Sequence, residues 1–342
     1  MGRPYVKWIV VDEPLSSIYR IGCLQVKDGY LYTVGELVID EGEKWKRGWR
    51  VEKRRAEDGR AVKTRSKWSP PDYTKCVVAG DKLVFWEWHF YVFDLNLKLV
   101  RKVYRRLGDH PSITTDGRYI YTVSEHWSFW VVEKWDLDVT RKIISYEVDW
   151  LSDDRDRPIE FRSIAVNPVT GHIWLPGCVD CGRYPEWRIV VVGKRTHRRK
   201  WARTRILKPQ ISGDANGVVF DEDGNAYVYG YEGVVKYSKY GKLLAKTELK
   251  YEEFAGGVYR GGLLYLISWG SALYVFDSDL RKVEEIDLKP EISKHPQIAK
   301  HMGEGSYLVS SVTTSDRETI YVAGRVENVG KRDVGFIYAL AL

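Results

Sequence analysis

The chain has 342 residues, 44% of them hydrophobic and 30% charged, and its 54 Lys and Arg against 47 Asp and Glu give a formal charge of +7. That apolar content is ample for a packed core and excludes wholesale disorder, and no apolar run approaches the ~20 residues of a membrane-spanning helix. The opening Met1–Val6 lacks the apolar stretch of a secretory signal, and Val6 stands where a myristoylation motif requires Ser or Thr. A soluble cytoplasmic protein is the expectation. Only five Asn, three Gln and two Met occur beside the many charged residues, a composition of the hyperthermophile, archaeal-like kind. The net charge permits contact with nucleic acid without demanding it.

Along the chain one phrase recurs: a short apolar strand, a tight turn carrying Gly or Asp, then an aromatic and β-branched strand. It appears as Val26–Val34, Val78–Phe85, Thr115–Val123, Asn167–Leu175, Phe220–Val228 and Val258–Leu266, and a seventh time, without its Gly, as Thr314–Val322. Asp-Gly between alternating apolar residues is a strong hairpin signal, because both residues accept positive φ. Third strands follow, such as Tyr91–Asp94, Val131–Trp135 and Leu273–Asp277, and then more polar fourth strands such as Leu99–Tyr104 and Lys282–Ile286. Helical periodicity is confined to the neighbourhood of Glu291–His301. The repeats predict an all-β fold, a seven-bladed β-propeller of four-stranded antiparallel blades. The seventh repeat supplies three strands ending in Phe336–Leu340, so the N-terminal strand Tyr5–Val11 is expected to close the last blade. One domain, 1–342, is predicted, with blades at about 15–68, 69–106, 107–149, 157–208, 212–250, 251–290 and 299–342 plus 1–14.

The most regular repeat, Asn216–Val228 continuing through Val234–Tyr237 to Tyr240–Leu243, resembles the NHL repeat and the related streptogramin-lyase-like and lactonase-like propellers, and Ile164–Trp174 is similar. That resemblance implies a propeller and spans functions from metal-dependent lyases and lactonases to pure interaction modules. Fold alone does not choose among them.

In such blades the second strand delivers its last residues to one face. Counting from each turn places Glu36, Glu87, Glu125, Tyr231, Trp269 and Arg325 there, with Trp88, His126, Trp127 and Trp187 as neighbours. This acidic and aromatic collar is a candidate surface for a protein or small-molecule ligand; the bland alternative is that each Glu pairs with a nearby base and each Trp caps its blade. The starts of the first strands add Asp72, Asp109, His110, Glu160, Asp214, Asn216, Glu253 and His301. Carboxylates and an amide converging there are able to hold Ca²⁺ or Mg²⁺ through oxygen ligands, or simply shape the turns. No residue is assigned as a metal ligand.

Cys178-Val179-Asp180-Cys181 reads as a loop disulfide, with two free thiols as the alternative. His172 and His197 fall at the far end of the strand and cannot complete a zinc site there. Cys23 and Cys76 read as small buried apolar residues. The basic runs Lys194–Arg205 and Lys44–Arg65 contain Trp201, Trp45 and Trp49. They are expected at the outer rim, as protection of sheet edges or as a nucleic-acid surface. With no P-loop, nucleophile elbow or HExxH motif, the expected function is a non-enzymatic binding module. The alternatives are a divalent-metal-dependent lyase or lactonase-like hydrolase in a central channel, and nucleic-acid binding on the basic rim.

Overall fold

The structure, a computed structural model, describes residues 4–11, 17–40, 45–68, 75–86, 89–104, 109–126, 129–149, 159–181, 185–193, 204–302, 307–316, 318–327 and 334–342. After β1 (Tyr5–Val11), the strands β2 (Ser17–Lys27), β3 (Tyr30–Asp40), β4 (Trp45–Arg55) and β5 (Ala61–Trp68) form one sheet. A second contains β6 (Lys75–Ala79), β7 (Lys82–Trp86), β8 (Phe90–Asp94) and β9 (Leu99–Val103). A third contains β10 (Asp109–Thr115), β11 (Ile120–His126), β12 (Phe129–Trp135) and β13 (Lys142–Asp149). The fourth has five strands, β14 (Ile159–Phe161), β15 (Ala165–Val166), β16 (Ile173–Val179), β17 (Glu186–Val192) and β18 (Thr204–Leu207), with β14 and β15 both pairing with β16. The fifth has six in sequence order: β19 (Ala215–Phe220), β20 (Ala226–Tyr237), β21 (Leu243–Arg260), β22 (Leu263–Ser268), β23 (Ala272–Phe276) and β24 (Lys282–Asp287). Two short helices, α1 (Lys289–Lys294) and α2 (Pro296–Ala299), precede β25 (Tyr307–Ser315), β26 (Thr319–Glu327) and β27 (Val334–Ala341), which share a sheet with β1 in the order β1-β27-β26-β25. Tyr5 lies opposite Ala341 and Val11 opposite Phe336.

The described strands therefore form six sheets, not the seven separate blades expected. The difference lies in β21, which runs unbroken through the boundary expected between the fifth and sixth blades at about 250. Its first part pairs with Gly233–Tyr237, and β21 then advances from Glu248 to Glu253 while its partner β20 moves only from Gly233 to Tyr231. The surplus residues bulge outward at Tyr251, which has φ 65° and is 83% exposed. Within β20 the inward face changes parity: Ala226 and Val228, then Val235 and Tyr237, share one apolar cluster. Alternate strand residues face opposite ways, so the ribbon turns over between them, where Glu232 is held at φ 63°.

The turns explain why the strands begin where they do. The six expected turn glycines, from Gly29 to Gly261, all have positive φ; position 317 lies outside the described residues. Asp116 accepts the backbone N–H groups of Arg118 and Tyr119 and the Tyr121 hydroxyl at 2.8–2.9 Å. Asp316 does the same for Glu318, Thr319 and Tyr321. A second kind of turn joins third and fourth strands. Asp94 accepts from the Asn96 and Lys98 amides, Asp136 from those of Thr140 and Arg141, and Asp277 from those of Asp279 and Arg281. Three residues after each of these aspartates an apolar side chain, Leu97, Val139 or Leu280, takes positive φ and is buried. A left-handed β-branched residue is strained, so the carboxylate clamp and the buried side chain together hold the turn.

The chain divides into two compact units: residues Met1–Lys102, Ile267–Leu273 and Glu285–Leu342, and residues Val103–Leu266 and Tyr274–Glu284. In the first unit, Trp49, Phe85, Tyr91 and Phe93 fill the space between the β2–β5 and β6–β9 sheets, with Trp49 edge-on to the other three rings. Cys23 and Cys76, expected as separate apolar residues, cross this space as a disulfide with Cα atoms 5.6 Å apart. On the opposite face of β4, Arg50, Glu52 and Arg54 are buried, at 9%, 3% and 4% exposure. Glu52 joins Arg50 at 3.2 Å and Arg54 at 2.7 Å, and Arg54 also donates to the Gly59 carbonyl. The Lys44–Arg65 run is thus not wholly a solvated rim, because two of its arginines are internal. Burial pulls the Arg50 pKa down while Glu52 opposes that shift. Trp8 of β1 packs so closely on Gly59 that a Cβ there would sit 2.6 Å from the indole ring.

In the second unit, Trp130, Phe161 and their neighbours pack the β10–β13 sheet against the β14–β18 sheet. Trp174, Trp187, Ile211 and Val228 pack the β14–β18 sheet against β19–β20. The buried Asn167 amide donates to the Gly224 carbonyl at 2.6 Å, tying one hairpin turn to the next.

Removing the Glu52 charge leaves two buried guanidinium groups uncompensated. Glu52→Gln should cost about 3–5 kcal/mol, read as a lower urea midpoint at unchanged slope; a loss under 1 kcal/mol would contradict the triad's burial. The disulfide that closes a separation of 53 residues should contribute about 4 kcal/mol in the chain-entropy description, against about 2 for the one that closes three. Paired Cys→Ala variants compared by the same titration test that order.

Candidate functional site

The collar residues do not behave alike. Glu87, Trp88 and Trp127 lie outside the described residues. Glu36 is half-buried in β3, opposite Trp49 of β4. Glu125 and His126 end β11, where the His126 ring stacks on Phe129 at 5.9 Å and its Nε2 lies 3.3 Å from the Ser124 hydroxyl. Arg325 is ion-paired with Glu327, two residues along β26. Trp269 is 46% exposed and presents its ring to solvent. Trp187, expected at the surface, is fully buried; its indole N–H donates to the Tyr231 carbonyl at 3.1 Å, and that satisfied donor lets the whole ring enter the core.

Within the second unit, however, the strand ends converge. Glu160 of β14 lies opposite Cys178 of β16, and Cys178 lies opposite Trp187 of β17. The Tyr231 N–H donates to the Asp214 carbonyl at 2.9 Å, and the Tyr231 ring covers Gly213, where a Cβ would meet it at 2.5 Å. Tyr231 is in turn opposite Glu253. A row of side chains thus runs from Glu160 past Trp187 and Tyr231 to Glu253.

Arg162 organises this row. Its NH2 lies 2.8 Å from Asp214 Oδ2, its Nε donates to the same oxygen at 3.0 Å, and its NH1 lies 3.5 Å from Glu160. The Asn216 amide donates to Glu253 Oε1 at 3.1 Å and to the Phe254 carbonyl at 3.2 Å. Arg162 was not singled out from the sequence, although it stands two residues after Glu160 and so shares its face. With Arg162 between Glu160 and Asp214, the positive charge that a Ca²⁺ or Mg²⁺ ion would bring to these carboxylates comes from the chain itself. Three carboxylates against one guanidinium leave the row acidic.

Cys178 and Cys181 are disulfide-bonded, and the Glu160 carboxylate lies with both sulfurs inside a 4.8 Å cluster. Among the other strand-start residues, Asp72 lies outside the described residues. So do 194–203 of the Lys194–Arg205 run.

Burial raises the Glu253 pKa; the Asn216 hydrogen bond and Arg162 oppose the shift, and the Asp214 charge adds to it. The folded state then holds this proton more tightly than the unfolded chain does, so ionisation costs stability. The cost is absent below the unfolded value of about 4.3 and complete above the raised folded value. Glu253→Gln should therefore be more stable than wild type at pH 7, with the two melting curves converging in acid. Parallel pH profiles would contradict the assignment.

No protein-family model matches the chain, and no curated protein does. Solved structures do. The C-terminal WD40 domain of Sif2 is similar over 99% of each chain at 10% identity and a TM-score of 0.52. BamB from Moraxella catarrhalis is similar over 97% of this chain and 100% of its own, at 12% identity and 0.52. A chain of the Mitotic Checkpoint Complex is similar over 97% and 94%, at 9% identity and 0.60. At these identities the likeness is one of fold, and the fold is a β-propeller of antiparallel, mostly four-stranded sheets.

Proposed function

We propose that the chain is a non-enzymatic binding module that takes a cationic segment of a partner protein on the acidic row of its second unit. The observation that supports this reading is the grouping of Glu160, Asp214 and Glu253 around the single Arg162, with Tyr231 beside them. Carboxylates already fixed by Arg162 and Asn216 need little ordering when they meet a Lys or Arg side chain, and the Tyr231 ring supplies a face for a cation. A propeller solved within the Mitotic Checkpoint Complex, a protein assembly by its printed name, is in keeping with a protein partner. Glu125 and His126, which end β11 in the same unit, are proposed as further contacts. The NHL-type resemblance of the Asn216–Leu243 repeat fits the interaction-module side of that group.

Short peptides rich in Lys and Arg, rich in Asp and Glu, or uncharged, together with an oligothymidine single strand, provide the probes. Titration calorimetry should show binding of the cationic peptides alone. The double variant Asp214→Asn, Glu253→Gln should lose at least about tenfold in affinity, equivalent to 1.4 kcal/mol, and raised salt should weaken binding in parallel. Peptide binding without charge preference, or unchanged in the double variant, would overturn the reading. Salt-sensitive capture of the oligonucleotide with no peptide binding would replace it by nucleic-acid recognition.

A further inference from the structure

The Cys178–Cys181 disulfide differs from the Cys23–Cys76 disulfide in the length of chain it closes and in its exposure. It closes a separation of three residues rather than 53, so it gains little from loop closure. Its Cys181 is partly open to solvent, whereas Cys23, Cys76 and Cys178 are all buried. Exchange requires a thiolate to reach a disulfide sulfur, and Cys181 offers that approach. The two cysteines stand at C-x₂-C spacing, the spacing with which a turn delivers two sulfurs to one metal ion. Asp180, between them, already holds the left-handed conformation of a tight turn, φ 57°.

A third donor is in place. Glu160 pairs with Cys178 across the ladder, and one of its oxygens and both sulfurs all lie within 4.8 Å of one another. Tetrahedral zinc, with bonds of about 2.3 Å to sulfur and 2.0–2.2 Å to oxygen, holds its ligand atoms roughly 3.5–3.8 Å apart. The cluster needs side-chain rotation, not backbone rearrangement, to reach that spacing, since Cα atoms 5.6 Å apart suit either a bonded or a separated sulfur pair. The Glu160 side chain is about half exposed and so free to turn. Its release does not strand Arg162, which keeps its closer contact with Asp214 at 2.8 Å.

We propose that Glu160, Cys178 and Cys181 form a redox-gated zinc site: closed while the disulfide is intact, and able to bind one Zn²⁺ through two thiolates and one carboxylate once it is reduced. A dithiol reductant supplies two electrons and two protons. The S–S bond breaks, two thiols form, and the reductant leaves as its own disulfide. Zn²⁺ then displaces both thiol protons to solvent, and the fourth coordination position is left to water. Two thiolates favour zinc over Ca²⁺ and Mg²⁺, which take oxygen ligands. The proposal shares Glu160 with the peptide-binding reading but uses neither Asp214 nor Glu253, so the Asp214→Asn, Glu253→Gln variant that tests that reading leaves the three zinc donors in place.

The full chain is reduced with a phosphine, freed of reductant anaerobically, and titrated with Zn²⁺ against a chromophoric chelator. A parallel titration with Co²⁺ reports thiolate ligation by its charge-transfer absorption. One ion per reduced chain and none per oxidised chain are expected. Cys181→Ser should abolish the two-thiolate spectrum, and Glu160→Gln should weaken zinc binding about 10- to 100-fold. The pair Cys23→Ser, Cys76→Ser should leave the site intact. Both Cys181 and Glu160 are at least partly exposed, so their variants keep the test independent of the buried Cys178. Absence of zinc from the reduced chain, or equal affinity in Cys181→Ser, would overturn the proposal.

Discussion

A carboxylate that accepts backbone N–H groups is the interaction on which this fold depends most widely. Asp94, Asp136 and Asp277 close the turns between third and fourth strands, and Asp116 and Asp316 close hairpins between first and second. Each turn leaves amides that the ladders do not take up, and although most of these hydrogen bonds are exposed, a bond to a charged acceptor still contributes about 1.5 kcal/mol net. The aspartate satisfies two at once and fixes the number of residues in the turn. Because a strand side chain changes face with every residue, that number decides which residues enter the core. The hydrogen bonds also act back on the acids. Burial alone would raise the pKa of Asp116, but the Tyr121 hydroxyl and the two turn amides outweigh it and hold the carboxyl below its usual range.

The register set by these turns places the chemistry. Cys178, Trp187 and Glu160 occupy one row because β14, β16 and β17 pair as they do, and Tyr231 meets Glu253 because β21 bulges at Tyr251. Arg162 then converts a set of like charges into a structure. Without it, Asp214 and Glu160 would repel; with it they are held, while burial works against the charge of Glu253. A surface built this way is acidic yet ordered.

Much of the architecture was legible in the sequence for local reasons. Asp-Gly and Gly-Asp pairs mark turns through their backbone freedom alone, and the glycines at 29, 80, 117, 171, 224 and 261 indeed hold positive φ. The other turn signal, Asp-x-Asx-apolar at Asp94, Asp136 and Asp277, was equally local but went unread, because a buried Leu or Val in the left-handed region runs against ordinary preference. What was not legible depends on distance. Nothing near Cys23 indicates that Cys76 faces it across two sheets. The continuity of β21 rests on a polar stretch, Lys246–Glu253, across which the repeats place the boundary between two blades. Trp187 looked like a surface aromatic because strand position alone does not reveal that the Tyr231 carbonyl waits to accept its N–H. The burial of Arg50 and Arg54 follows likewise from Glu52, their internal partner in a run whose composition reads as a basic outer rim.

The most direct test of the turn clamps is residue-resolved amide hydrogen exchange at neutral pH of the intact protein and of the single variants Asp94→Ala, Asp116→Ala, Asp136→Ala, Asp277→Ala and Asp316→Ala. The clamped amides of Lys98, Tyr119, Thr140, Arg281 and Thr319 should exchange as slowly as the neighbouring ladder amides at neutral pH. In each variant the amides that the lost carboxylate holds should lose protection while the ladders keep theirs. Rapid exchange at these amides in the intact protein, with the ladders still protected, would show that the turns are passive and that the strand registers are set elsewhere.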